Sequence, residues 1–141
     1  MKLQKLILIF VSILALASCK KEAGDGGNSS IRGKVNVELR YVIENWENIR
    51  ATYPAIDEDV YIIYDNHVSP DDRVQTNYNG EFEFLYLRPG KYKVYVVSKD
   101  TMAPFSHDFG KMTVLREVEI TDDKQRITLE DMTIYDEYDG N

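Results

Sequence analysis

The stretch Asn79-Gly80-Glu81-Phe82-Glu83-Phe84-Leu85-Tyr86-Leu87-Arg88-Pro89-Gly90-Lys91-Tyr92-Lys93-Val94-Tyr95-Val96-Val97 decides the fold. Glu81–Leu87 reads as a strand: over Glu81–Phe84 charged and aromatic residues alternate, and a period of two is that of a strand with one wet face. Lys91–Ser98 is a second strand, apolar on both faces over much of its length, so something should cover its outer side. Asn79-Gly80 is the preferred two-residue hairpin signal, because both residues tolerate positive φ. Pro89-Gly90 fixes φ at one turn position and frees it at the next, which suits a type II turn.

Working outward, strict alternation starts at Ile31. Ile31, Gly33, Val35, Val37, Leu39 and Tyr41 face one way, and Arg32, Lys34, Asn36, Glu38 and Arg40 the other. Val60–Tyr64, Arg73–Tyr78 and Thr113–Thr121 add further strands, and a last one runs from Arg126 to Tyr135. In that last strand Ile127 and Leu129 are out of phase with Met132 and Ile134. One extra residue near Glu130-Asp131, a bulge, restores the apolar face. Between Val42 and Asp59, residues Ile43, Trp46, Ile49 and Tyr53 recur at helical spacing before Pro54, which predicts a short amphipathic helix over 43–53. That helix would lie over the apolar outer sides of Val60–Tyr64 and Tyr92–Val97; the alternative is an extension of the first strand. About seven short strands with close turns predict an all-β fold, a single antiparallel Greek-key sandwich.

The chain has 141 residues, enough for one domain, and 17 basic against 24 acidic side chains give a net charge of −7. An acidic chain lacks the basic face of a nucleic-acid binder. Its single cysteine excludes an internal disulfide, and no Cys/His group has zinc spacing. No cofactor motif is present.

Gly33, Thr76, Gly80, Phe82, Phe84, Leu87, Pro89-Gly90, Tyr92 and Val94 resemble the signature of carboxypeptidase-regulatory-like, transthyretin-type (prealbumin-like) sandwiches: a threonine, a glycine turn, alternating aromatics, then Leu-x-Pro-Gly-x-Tyr-x-Val. The resemblance spans roughly Ser30 to Tyr135 and implies a fold, not an activity. That fold also hosts a purine-pathway hydrolase with several strand His and Arg residues and a Tyr-Arg-Gly-Ser ending. This chain ends Tyr135-Asp136-Glu137-Tyr138-Asp139-Gly140-Asn141, so the resemblance does not extend to that enzyme.

The first residues read as an export signal. Lys2 and Lys5 precede an apolar run from Leu6 to Ala17, too short for a membrane span of roughly 20 residues. Leu16-Ala17-Ser18-Cys19 resembles the lipobox of bacterial lipoproteins, with the only cysteine at the required position. The resemblance implies cleavage before Cys19, acylation there, and membrane attachment through the lipid. Lys20, in place of an inner-membrane retention Asp, favours the outer membrane. Lys21-Glu22 and Asp25 resemble a weak surface-export signal of Bacteroidetes lipoproteins, which favours the cell surface over the periplasmic face. The expected organisation is a signal peptide over 1–18, lipidated Cys19 with a flexible tether over 19–30, a sandwich over 31–136 and an acidic tail over 137–141.

The candidate site is aromatic. Ten tyrosines is a high count, and such rings bring large contact area at low entropy cost. Trp46, Tyr61, Tyr86 and Tyr95, exposed together, would form a platform for a glycan or a protein partner. Asp65, Asn66, Asp71 and Asp72, with Asp57, Glu58 and Asp59, invite a calcium reading, but no EF-hand spacing is present and solvated surface is the simpler account. His67 and His107, near Asp65 and Asp108, could act in acid–base chemistry, yet no nucleophile motif accompanies them, and no enzyme is expected. Asp100-Thr101-Met102 resembles a Bacteroidetes O-glycosylation acceptor at Thr101; Asn28-Ser29-Ser30 is an N-glycosylation sequon in form only. The expected function is a non-catalytic interaction or structural module of an envelope assembly, with a glycan-binding module and a single-domain pilin-like subunit as alternatives.

Overall fold

The computed structural model describes residues 22–41, 49–99 and 110–138. Nine strands run through them: β1 (Asp25–Tyr41), β2 (Ile49–Pro54), β3 (Asp59–Tyr64), β4 (Asp72–Gln75), β5 (Glu81–Leu87), β6 (Gly90–Lys99), β7 (Lys111–Ile120), β8 (Arg126–Thr128) and β9 (Met132–Tyr138). They form two sheets, one ordered β4-β3-β6-β7 and the other built around β1. The fold is an all-β sandwich, as its alternating sequence requires.

β1 is paired on one edge from its start and on both edges from Ser30 onward. Its first half pairs antiparallel with β5 and its second half antiparallel with β2, while β8 and then β9 run parallel to it on the other edge. Val35 sits at the junction. Its N–H donates to Gly80 O at 2.8 Å and its carbonyl accepts from Ala55 N at 3.0 Å, so both groups serve the edge that β5 and β2 share end to end. The side chains alternate as the sequence dictates: Ile31, Val35 and Val37 are buried and meet Val60, Val94 and Val96 from the facing sheet. Each such aliphatic contributes about 1.5–3 kcal/mol by leaving water.

Two glycines of the signature are fixed by close approach. Gly33 lies opposite Phe82, whose ring atoms would stand 2.7 Å from a Cβ there. Gly80 has φ +76°, and a Cβ would meet Val35 O at 2.3 Å. Thr76 is buried; its hydroxyl donates to Ala55 O at 2.7 Å and accepts from Glu58 N at 2.9 Å, clamping the β2–β3 loop. Tyr92 is buried too, donating to Arg88 O and accepting from Gly24 N.

The last predicted strand carries its extra residue where expected. Arg32 pairs with Thr128 and Val35 with Met132, so three steps along β1 match four along the partner, and residues 129–131 divide the segment into β8 and β9. Met132 and Ile134 are thereby buried.

Several expectations are corrected. Ile49–Pro54 is strand β2 of the β1 sheet and not helix, so Ile49 and Tyr53 cover nothing on β3 or β6; their side chains are exposed. Their helical spacing loses to backbone pairing with β1, the alternative the sequence also allowed. Trp46, the other lid residue, lies outside the described residues. β1 begins at Asp25, so residues 25–30 are strand and not tether: Ser29 and Ser30 are buried, and Ser29 Oγ donates to Asp122 O and accepts from Gln125 N. β9 likewise takes in Glu137 and Tyr138. The Asn79-Gly80 turn is not a two-residue hairpin. Gly80 N donates to Asn77 O across a four-residue turn that carries the chain from one sheet to the other. Pro89-Gly90 also crosses between sheets, and Gly90 has φ +155°, not the roughly +80° of a type II turn.

Gly80→Ala is expected to lower unfolding free energy by more than about 1 kcal/mol, since it adds a left-handed alanine and a clash with Val35. Thr76→Val should cost about 1–3 kcal/mol through its two stranded backbone partners. Urea unfolding reads both as a lower midpoint at constant slope, and unchanged midpoints would contradict this packing.

Candidate functional site

The β4-β3-β6-β7 sheet packs one face on the β1 sheet, and among the described residues there is no third layer over its other face. Strand register brings Arg73, Tyr61, Tyr95 and Leu115 into one row across the four strands on that outer face. Tyr61 and Tyr95 stack, with ring centroids 5.1 Å apart and planes 17° from parallel. Ile63 and Val97 flank them, half-buried, and Leu115 is 41% exposed. Lys93 opposite Glu117 edges the row on one side, and Arg73 reaches Asp59 Oδ2 at 2.9 Å on the other. The row is a stripe of apolar surface between charged margins. Each ring spends one face on its neighbour, and the Tyr61 hydroxyl donates to Asp59 Oδ2 at 3.5 Å.

Beside the row, a cleft of about 480 Å³ opens among Glu58, Asp59, Tyr61, Lys99, Tyr135 and Asp136. Lys99 Nζ donates to Asp136 Oδ1 at 2.6 Å, tying β6 to β9. That contact raises the Lys99 amine; for Asp136 burial works upward, but the Lys99 and Glu137 N–H bonds hold its carboxyl below the usual range. Burial, then the charge of Asp59, raises the Glu58 carboxyl. Asp59 Oδ1 is covered and unpartnered among the described residues.

Of the four candidate rings, the structure stacks Tyr61 on Tyr95 and sets Tyr86 apart from them. Tyr86 belongs to β5 of the other sheet, where it is 69% exposed at φ +60°. Trp46, Cys19, Thr101 and His107 lie outside the described residues. The loop carboxylates of the calcium reading act locally. Asp71 accepts from Tyr64 N at 2.7 Å and pairs with His67 Nδ1 at 2.7 Å, Asp72 accepts from Arg73 N, and Asp59 holds Arg73. No three His, Cys, Asp or Glu side chains converge for a metal among the described residues. His67 therefore meets Asp71, not Asp65, on an exposed loop. Sequence reading missed Leu115, although a leucine among the outward Thr113, Glu117 and Glu119 was visible; knowing that it continues the tyrosine row needed the register.

No protein-family model matches this chain, and no characterised protein matches it in sequence. Among solved structures it is similar to a candidate carbohydrate-binding protein from Pseudomonas aeruginosa, at 14% identity and a TM-score of 0.46, over 77% of this chain and 91% of that one. A likeness of that size carries no inference about ligand.

Hydrogen bonding and the charge of Asp71 raise the His67 imidazole, while burial works against it. For Asp71, burial works upward, but the Tyr64 amide and His67 hold the carboxyl below its usual range. With His67 raised and Asp71 lowered, the pair stabilises the fold fully between the unfolded values of about 3.9 and 6.5, and it stops doing so as pH rises through the folded His67 value or falls through the folded Asp71 value. NMR titration of His67 should give a midpoint above the ordinary imidazole range in the native chain and near it in Asp71→Asn. Equal midpoints would remove the pair.

Proposed function

We propose that this chain is a non-catalytic binding module of an envelope assembly, docking a protein partner through the outer face of the β4-β3-β6-β7 sheet. The observation that carries the reading is the Tyr61–Tyr95 stack with Leu115 beside it, an apolar stripe between charged margins on a sheet face without a described third layer. Rigid aromatics surrounded by polar rim are the composition of interface centres. The lipobox around Cys19 and the transthyretin-type signature support a lipid-anchored sandwich at the outer membrane, with the cell surface favoured. Packing of Ala23 against the core then leaves residues 20–22 as the spacer, at most about 11 Å of extended chain.

A glycan ligand is the second reading, and the cleft favours it. Tyr61 and Tyr135 offer aromatic surface there beside the carboxylates of Glu58, Asp59 and Asp136. A volume of this order suits a small polar ligand with a few directional hydrogen bonds.

In-cell cross-linking of the full chain through a tagged copy tests the choice. Tyr61→Ala with Tyr95→Ala should abolish a cross-linked partner while the thermal midpoint of the purified protein stays within a few degrees. Retention of the partner would contradict the face. Glycan binding predicts instead that native protein is retained on envelope polysaccharide and Tyr135→Ala is not. Protease treatment of intact cells should digest the domain, and protection until lysis would contradict the surface location.

A further inference from the structure

We infer that two copies of this chain pair antiparallel along the free edge of β7, with Leu115 of each copy on the twofold axis. β7 pairs with β6 from Lys111 to Ile120 without a register shift, and among the described residues nothing pairs with its other edge. A long, regular, proline-free edge is the kind that folded proteins usually blunt or use. The opposite edge of the same sheet shows the contrast, because β4 has only four residues and follows Pro70.

The side chains of β7 choose the occupant. Residues directly opposite in an antiparallel pair share a face, and opposite charges there are favourable while like charges are not. The outer face of β7 reads Lys111, Thr113, Leu115, Glu117, Glu119. With Leu115 against Leu115 of the second copy, each Lys111 faces Glu119 and each Thr113 faces Glu117. Moving the axis to Arg116 sets arginine against arginine, and moving it to Glu117 sets glutamate against glutamate. An axis on Val114 leaves Glu119 opposite position 109, beyond the strand. An axis on Val114 also sets Lys111 against Glu117, but only the Leu115 axis pairs all five outward residues within the strand.

Two further features fit that register. Lys111 lies opposite Lys99 on β6, a like-charge neighbour that reaches away to Asp136. Glu119 of the second copy would place an opposite charge beside Lys111. On the inward side Met112, Val114, Arg116 and Val118 are half-buried, and this register sets Met112 against Val118 and Val114 against the stem of Arg116, whose guanidinium donates to Asp131 O at 3.0 Å. Pairing also joins Arg73, Tyr61, Tyr95 and Leu115 to their symmetry mates, making one eight-stranded sheet with a continuous apolar row. The inference stands whether that face binds a protein or a glycan.

Sedimentation velocity of the full chain in detergent tests it. The native chain should have the mass of two protomers and fall to one with Leu115→Lys, an exposed position where the thermal midpoint should hold. Lys111→Glu should weaken association at least about tenfold, and adding Glu119→Lys to it should restore dimers. A native chain that is monomeric at about 100 µM would overturn the inference. So would a dimer indifferent to Leu115→Lys, or a charge swap that fails to restore association lost in Lys111→Glu.

Discussion

The structure depends on how the two hydrogen-bonding groups of Val35 are spent. The N–H takes the start of β5 through Gly80 O, and the carbonyl takes the end of β2 through Ala55 N. One residue of β1 therefore sets the register of two strands that follow it in sequence by different distances. On the other edge, β8 and β9 close the sheet with the longest-range pairings in the chain. Leaving those groups unpaired inside the sandwich would cost about 1–3 kcal/mol each, which is why Gly80 can carry no side chain and Thr76 must hold the Ala55–Glu58 loop in place.

The two sheets then differ in what they show to their surroundings. The outer side of β1 carries Arg32, Lys34, Glu38 and Arg40, and Arg40 lies 4.4 Å from the Tyr135 ring centroid. The outer side of the other sheet carries the tyrosine stack and its aliphatic flanks. The β1 sheet exposes apolar side chains too, Ile49 and Tyr53 on β2 and Leu85 and Tyr86 on β5, but none of them forms a stacked row across neighbouring strands.

Much of this was legible in the residues. Period-two alternation gave the strands from Ile31 onward, and the phase change between Leu129 and Met132 located the extra residue. Three things were not legible, each for a physical reason. Asp25–Ser30 has a tether's composition, and what makes it a strand is a tertiary partner, the Leu87 end of β5, with Tyr92 and Gln125 satisfying Gly24 and Ser29. Ile49–Tyr53 has helical spacing, but five backbone pairings of Ile49–Pro54 with β1 outweigh it. Tyr86 sits among alternating residues, yet its positive φ falls where the β1–β5 register shifts and places it apart from Tyr61 and Tyr95. Neighbours in space across a sheet follow from register, and register is set by residues far away in sequence.

The most direct test of β1 as the common support is native-state hydrogen exchange read by NMR. The Val35 amide, together with the Ala55 amide that donates to its carbonyl, should exchange only through global unfolding, at the free energy of the slowest amides in the protein. Exchange of Val35 or Ala55 as fast as the amides of the exposed His67 loop would contradict it.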